Sequence, residues 1–139
     1  MELEEKIKIE GDYHEWEYTA QNGSIIKCYL QRHGSMGHLC GYVILTKDNK
    51  FWSKDYDEIP VQVHGGLTYA SVDDNDNWVV GFDCAHSGDL VPSFQKVHLN
   101  VNDIYRDKEY VISECESLAE QLSEWSISKI RDVKLGKLI

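Results

Sequence analysis

Asn22-Gly23 stands between two runs of period-two alternation, and this constrains the chain more than any other feature. Before it, His14, Trp16 and Tyr18 alternate with Tyr13, Glu15, Glu17 and Thr19. After it, Ile26, Cys28 and Leu30 alternate with Ile25, Lys27, Tyr29 and Gln31. Successive side chains on a strand point to opposite faces, so each run presents two distinct faces. Asn-Gly tolerates the positive φ of a type I′ turn, the connection that twisted strands prefer. The pattern predicts a β-hairpin with strands over 13–19 and 24–32.

Residues 33–38 read as a glycine-bearing loop, and 39–46 as a central strand, apolar on both faces. Asp48-Asn49 turns the chain, and 50–59 read as an irregular connection or short helix. Short strands are expected at 61–63 and within 67–72, an acidic turn at 73–77, and a strong strand at 77–83 carrying Trp78, Val80 and Phe82 on one face. Residues 105–125 predict one long helix. Val111, Cys115, Leu118, Leu122 and Trp125 form a single apolar stripe, flanked by Tyr110 and Ala119, with Asp103 as N-cap. The remainder, 126–139, reads as a short strand or helical turn ending in a loose tail. One domain over 1–139 is expected, loose at 1–10 and 132–139. The fold class is α+β: a mostly antiparallel sheet with one long C-terminal helix packed across a face.

Charge narrows the function. Fourteen basic against 24 acidic residues give a net charge of −10. A nucleic-acid binder needs a basic surface to displace counterions from phosphates, so none is expected as a partner. No apolar run approaches a membrane span, and the charged N-terminus lacks the apolar core of a signal peptide. Cys28, Cys40, Cys84 and Cys115 lie far apart with no CxxC pair, which suits a reducing cytoplasm.

The chemistry concentrates in 64–69 (His-Gly-Gly-Leu-Thr-Tyr) and 81–89 (Gly-Phe-Asp-Cys-Ala-His-Ser-Gly-Asp). Titratable groups straight after a buried strand are costly unless paired or used. Three readings compete. His64, Asp83 and His86, with Asp89, could hold a divalent ion, but HxH and HExxH are absent and the metal is not favoured. Cys84 could be a nucleophile beside a histidine, with Gly65 and Gly66 presenting N–H groups to an oxyanion; alternation instead places Cys84 with the core face and Asp83 toward the site. Anion or nucleotide binding could draw on Gly65, Gly66, His33, His38 and Arg32, with Thr68, Tyr69 and Asp89 as further ligand contacts; no P-loop or GxGxxG occurs. Tyr42, Tyr69, Trp52 and Tyr56 could stack on a ring, but Tyr42, inside a two-faced apolar strand, reads rather as core. Lys54–Glu58 reads as a solvated turn.

Cys40-Gly41-Tyr42-Val43, Lys54-Asp55-Tyr56-Asp57, the HGGLTY word of 64–69, the GFDCAHSGD word of 81–89, Tyr105-Arg106-Asp107 and Leu118–Leu122 together resemble a family of small phage and prophage proteins with no assigned activity. The resemblance spans roughly 40–122 and implies a phage or mobile-element origin and a cytoplasmic setting. Family members often carry Gly-His-Pro-aromatic-Tyr-Gly before Lys-Asp-Tyr. Here that stretch is Asp48-Asn49-Lys50-Phe51-Trp52-Ser53, so a histidine role at position 49 is absent.

The expectation is a protein that binds or processes a small polar, nucleotide-derived ligand in a Gly/His/Asp pocket, in a setting where host defence signals are countered. The alternatives are a hydrolase using His64, Asp83 and His86, with or without metal, and an interaction protein that blocks a host protein. The partner is a small molecule; a homo-oligomer stays open. His64 and Asp83 should converge in one pocket. If the 64–89 residues prove structural, the 33–38 loop is the next place for one.

Overall fold

A computed structural model describes residues 2–94 and 102–123. Its element order is α1 (Leu3–Glu10), β1 (Tyr13–Thr19), β2 (Ile25–Arg32), β3 (Leu39–Leu45), β4 (Tyr69–Val72), β5 (Trp78–Asp83) and α2 (Lys108–Ser123). The five strands form one antiparallel sheet in the order β1-β2-β3-β5-β4. The fold class is therefore α+β, with α2 across one face. The expectations for 124–139, including Trp125 and the loose 132–139, lie outside the described residues.

The hairpin forms where Asn22-Gly23 places it, with Trp16 opposite Cys28 and Tyr18 opposite Ile26. Asn22 locks the turn by accepting the N–H of Ser24 at 2.9 Å. Alternation then sorts the sheet into two faces. Cys28, Leu30, Val43, Val80 and Phe82 join Val111, Cys115, Leu118 and Leu122 of α2 in the core, where all four helix residues are fully buried. Burying side chains of this size contributes ~1.5–3 kcal/mol each. The tips of β1 also reach the helix: Trp16 Nε1 donates to Glu116 at 3.2 Å and Tyr18 Oη to Glu120 at 2.9 Å. Asn49 is buried and donates to the carbonyl of Leu122 at 2.9 Å.

The opposite face carries tyrosines instead. Tyr13, Tyr29, Tyr42 and Tyr69 form a ladder over four strands, with ring centroids 5.9, 4.6 and 5.4 Å apart in turn. Two glycines make the close packing work. Gly41 pairs with Phe82 and Gly81 pairs with Tyr42. A Cβ on Gly41 would lie 2.6 Å from the Phe82 ring and from Cys115 Sγ; one on Gly81 would lie 2.5 Å from the Tyr42 ring. Each glycine thus leaves a slot for the aromatic across from it, on opposite faces.

Four expectations are corrected. Tyr42 is not core: it lies half-buried on the tyrosine face, because β3 is covered by the helix on one side only. The 61–63 stretch joins no strand; Gln62 exchanges two 2.8 Å hydrogen bonds with the Gln121 side chain, and His64 N–H donates to Glu114 at 2.7 Å, so helix side chains satisfy its backbone. Asp107, not Asp103, caps α2, accepting the Tyr110 N–H at 2.9 Å. Residues 3–10 are not loose but helical. Arg32 holds them: its five N–H donors reach Asp12, Gly37 O, Tyr105 Oη, Glu10 and Gly11 O. Glu10 then accepts Tyr105 Oη at 2.6 Å and the Lys108 N–H at 2.8 Å. Arg32 is therefore not available to a phosphate.

Candidate functional site

β5 delivers Asp83 to the tyrosine face and the next residue, Cys84, to the core, as strand alternation requires. Burial, and next the Asp89 carboxylate, push the Cys84 thiol well above its ordinary range. A nucleophilic thiol needs the reverse. Cys28, raised to about 12, Cys40, raised to about 11, and Cys115 are likewise desolvated, so all four thiols are held protonated.

Beyond Cys84 the chain turns, and two polar groupings separate. The first is centred on Asp89, whose side chain is 1% exposed. It accepts His64 Nε2 at 2.8 Å, Arg106 Nε at 2.9 Å and the His86 N–H at 3.0 Å. Burial alone would raise this carboxyl, but the bonds from His64, Arg106 and His86 outweigh it and hold it below the usual range. His64 Nδ1 pairs with Tyr110 Oη at 2.8 Å, so both its ring nitrogens are engaged. Arg106 lies over the Tyr110 ring, 5.0 Å from its centroid. The grouping ties the 64–66 turn, the 86–89 turn and the start of α2 together. Gly65 and Gly66 both have positive φ, and the His86 ring packs so closely on Gly65 that a Cβ there would lie 2.2 Å away. Gly66 donates its N–H to Val63 O, which removes it as an oxyanion donor.

The second grouping lines a cavity of about 360 Å³ on the tyrosine face. His38, Tyr42, Thr68, Tyr69 and Asp83 form its walls, with His33 at the edge. The Tyr42 and Tyr69 rings meet at 85° and make a corner. Thr68 Oγ1 donates to Asp83 Oδ2 at 2.9 Å and the Ala85 N–H to Oδ1 at 3.1 Å. His38 is 5% exposed and stacks on His33 at 4.9 Å. Its Nδ1 has no hydrogen-bond partner among the described residues. Burial, and secondly His33, push the His38 pKa below its ordinary 6.5, so the ring is neutral.

The structure thus divides the residues singled out in the sequence. His64, His86 and Asp89 meet in the first grouping; His38, Thr68, Tyr69 and Asp83 meet in the second. Among the described residues, His64 and Asp83 line different pockets: His64 lines a groove beside Glu114 and Gln121, and Asp83 the tyrosine-face cavity. His86 stands between them. Its Nε2 is 3.2 Å from Asp83 Oδ1, yet out of line for a hydrogen bond, so the close approach leaves the nitrogen unpartnered. Three-residue sets able to close on one ion, among the described residues, are Glu10–Asp107–Glu109 and Asp55–Asp57–Glu58; neither contains His64, Asp83 or His86. Sequence reasoning set Tyr42 aside as core, and missed Arg106 and Tyr110 as partners and Asp89 as the hub. Tyr42 carried a usable signal: it shares strand parity with Cys40 and stands opposite in face to Val43 and Gly41.

Comparison with known protein families, curated proteins and solved structures finds no match for the chain. No helix among the described residues is long and apolar enough to cross a membrane.

Proposed function

We propose that the protein binds a small polar ligand with a flat ring in the cavity between Tyr42, Tyr69, His38 and Asp83. The observation that carries this reading is the corner of Tyr42 and Tyr69 beside the Asp83 carboxylate in one cavity, whose lining also includes His38, with a buried and unpartnered Nδ1. An unmet buried polar atom costs ~1–3 kcal/mol, a cost that an apolar side chain at this position would avoid. A ligand group would meet it. The tyrosine corner supplies ring faces, and Asp83 supplies a carboxylate about a third exposed beside them. The resemblance to phage proteins makes a nucleotide-derived host defence signal the natural class of ligand. The hydrolase reading has less support, since both nitrogens of His64 and both oxygens of Asp89 are engaged internally.

The test is a two-dimensional NMR titration with a panel of nucleosides. Signals of Tyr42, Tyr69 and Asp83 should shift together, and His38→Leu should weaken binding by tenfold or more. Shifts confined to the His64–Asp89 grouping, or none, would sink the proposal.

A further inference from the structure

Resting on that reading, the geometry points to the chemistry of the ligand. We infer that the cavity reads a ring edge bearing two adjacent N–H donors, the amide-and-amino edge shared by guanine and pterin, and makes no use of a phosphate.

Among the described residues, Asp83 is the only formally charged side chain in the cavity wall. Each of its oxygens accepts one internal hydrogen bond, from Thr68 or from the Ala85 N–H. A carboxylate has about four acceptor positions, and His86 Nε2, 3.2 Å from Oδ1, makes no hydrogen bond to it, so each oxygen keeps an unfilled position. Two acceptors on one planar group match two parallel N–H donors, the same bidentate fit by which carboxylates meet a guanidinium. The internal bonds also fix the carboxylate, so little side-chain freedom is lost on binding. The tyrosine corner fits a flat ring that lies on one wall and abuts the other.

Among the described residues, phosphate has no basic partner here: the wall they form holds no lysine or arginine. Arg32, whose backbone leads into the neighbouring loop, has all five donors engaged, and Arg106 is bonded to Asp89. Asp83 and a net charge of −10 both repel an anion.

The experiment titrates the intact protein calorimetrically with guanosine, pterin, adenosine, uridine, guanosine monophosphate and inorganic phosphate. Guanosine or pterin should bind at least tenfold more tightly than adenosine or uridine. The monophosphate should bind no better than guanosine, and phosphate alone should not register. Guanosine against pterin separates a nucleoside source from a pteridine one. Asp83→Asn, which keeps an acceptor for Ala85, should lower guanosine or pterin affinity at least tenfold. Adenosine or uridine binding equally well at the tyrosine corner would overturn the edge assignment and leave the cavity reading standing. Tighter binding of the monophosphate, or binding of phosphate itself, would do the same. Failure of every ring to move a cavity signal would overturn both.

Discussion

Asp83 and Asp89 lie six residues apart beyond the same strand, and their surroundings differ in almost every respect. Asp89 is buried and accepts a histidine, an arginine and a backbone N–H. Asp83 is about a third exposed, holds two internal bonds, and faces a cavity next to a histidine nitrogen with none. Both sit in a word that looks like one active site in the sequence. Hydrogen-bond saturation separates them: a saturated group holds the fold, and an unsaturated one is free to meet something else.

The sharpest way to break this contrast is Asp89→Ala. It leaves Arg106 and His64 without their partner and should cost ~3–5 kcal/mol in urea unfolding. A loss below about 1 kcal/mol would show that the grouping does not hold the fold. His64→Ala should follow at ~1–3 kcal/mol, because it leaves the Tyr110 hydroxyl and part of Asp89 unpaired. Next comes acid. The folded Asp89 pKa lies below its ordinary 3.8, so its contribution is fully present above that value and is lost as pH falls through the folded one. The stability gap between wild type and Asp89→Asn should therefore hold from neutral pH to about 5 and shrink below about 4. A gap unchanged at pH 3 would remove the ionised carboxylate from the account.

The cavity side should give smaller effects. His38 is held neutral with its pKa below 6.5, so the unfolded chain takes up the proton first and stability falls as pH drops below that value. His38→Leu should flatten this slope between pH 7 and 5, with stability at pH 7 unchanged or raised by up to about 1 kcal/mol. Asp83→Ala should cost the least, about 0.5 kcal/mol, near the surface range. A loss above 2 kcal/mol would make Asp83 structural and erase the difference between the two aspartates.

Much of the fold was legible because its periods are strong. The Asn22-Gly23 hairpin, the stripe of α2 and the core side of β5 each follow from spacing alone. α1 was not, because it buries no residue fully and so has no apolar stripe to read; its place depends on Arg32 and Glu10 meeting groups far along the chain. The 61–63 stretch looked like a strand because an extended backbone and its residue types are the same whether a strand or a helix's side chains satisfy it. Tyr42 was misplaced because apolar residues on both faces read as two covers. For the site, spacing showed which residues are polar at strand ends. It could not show which of them would find partners, since Arg106 and Tyr110 reach His64 and Asp89 only through the tertiary fold.

The bonds between the first and last elements have a consequence for how the molecule is made. Trp16 with Glu116, Tyr18 with Glu120 and Glu10 with Lys108 each join groups about 100 positions apart. During synthesis the hairpin emerges early, and its apolar side waits for a helix translated about 80–90 residues later. At roughly 5–20 residues per second, that delay is on the order of 5–20 s. Through it, Cys28 and Leu30 stay without their cover, and the Arg32 guanidinium without Tyr105. Closure of this core therefore waits on α2, which makes the nascent hairpin an aggregation-exposed stage.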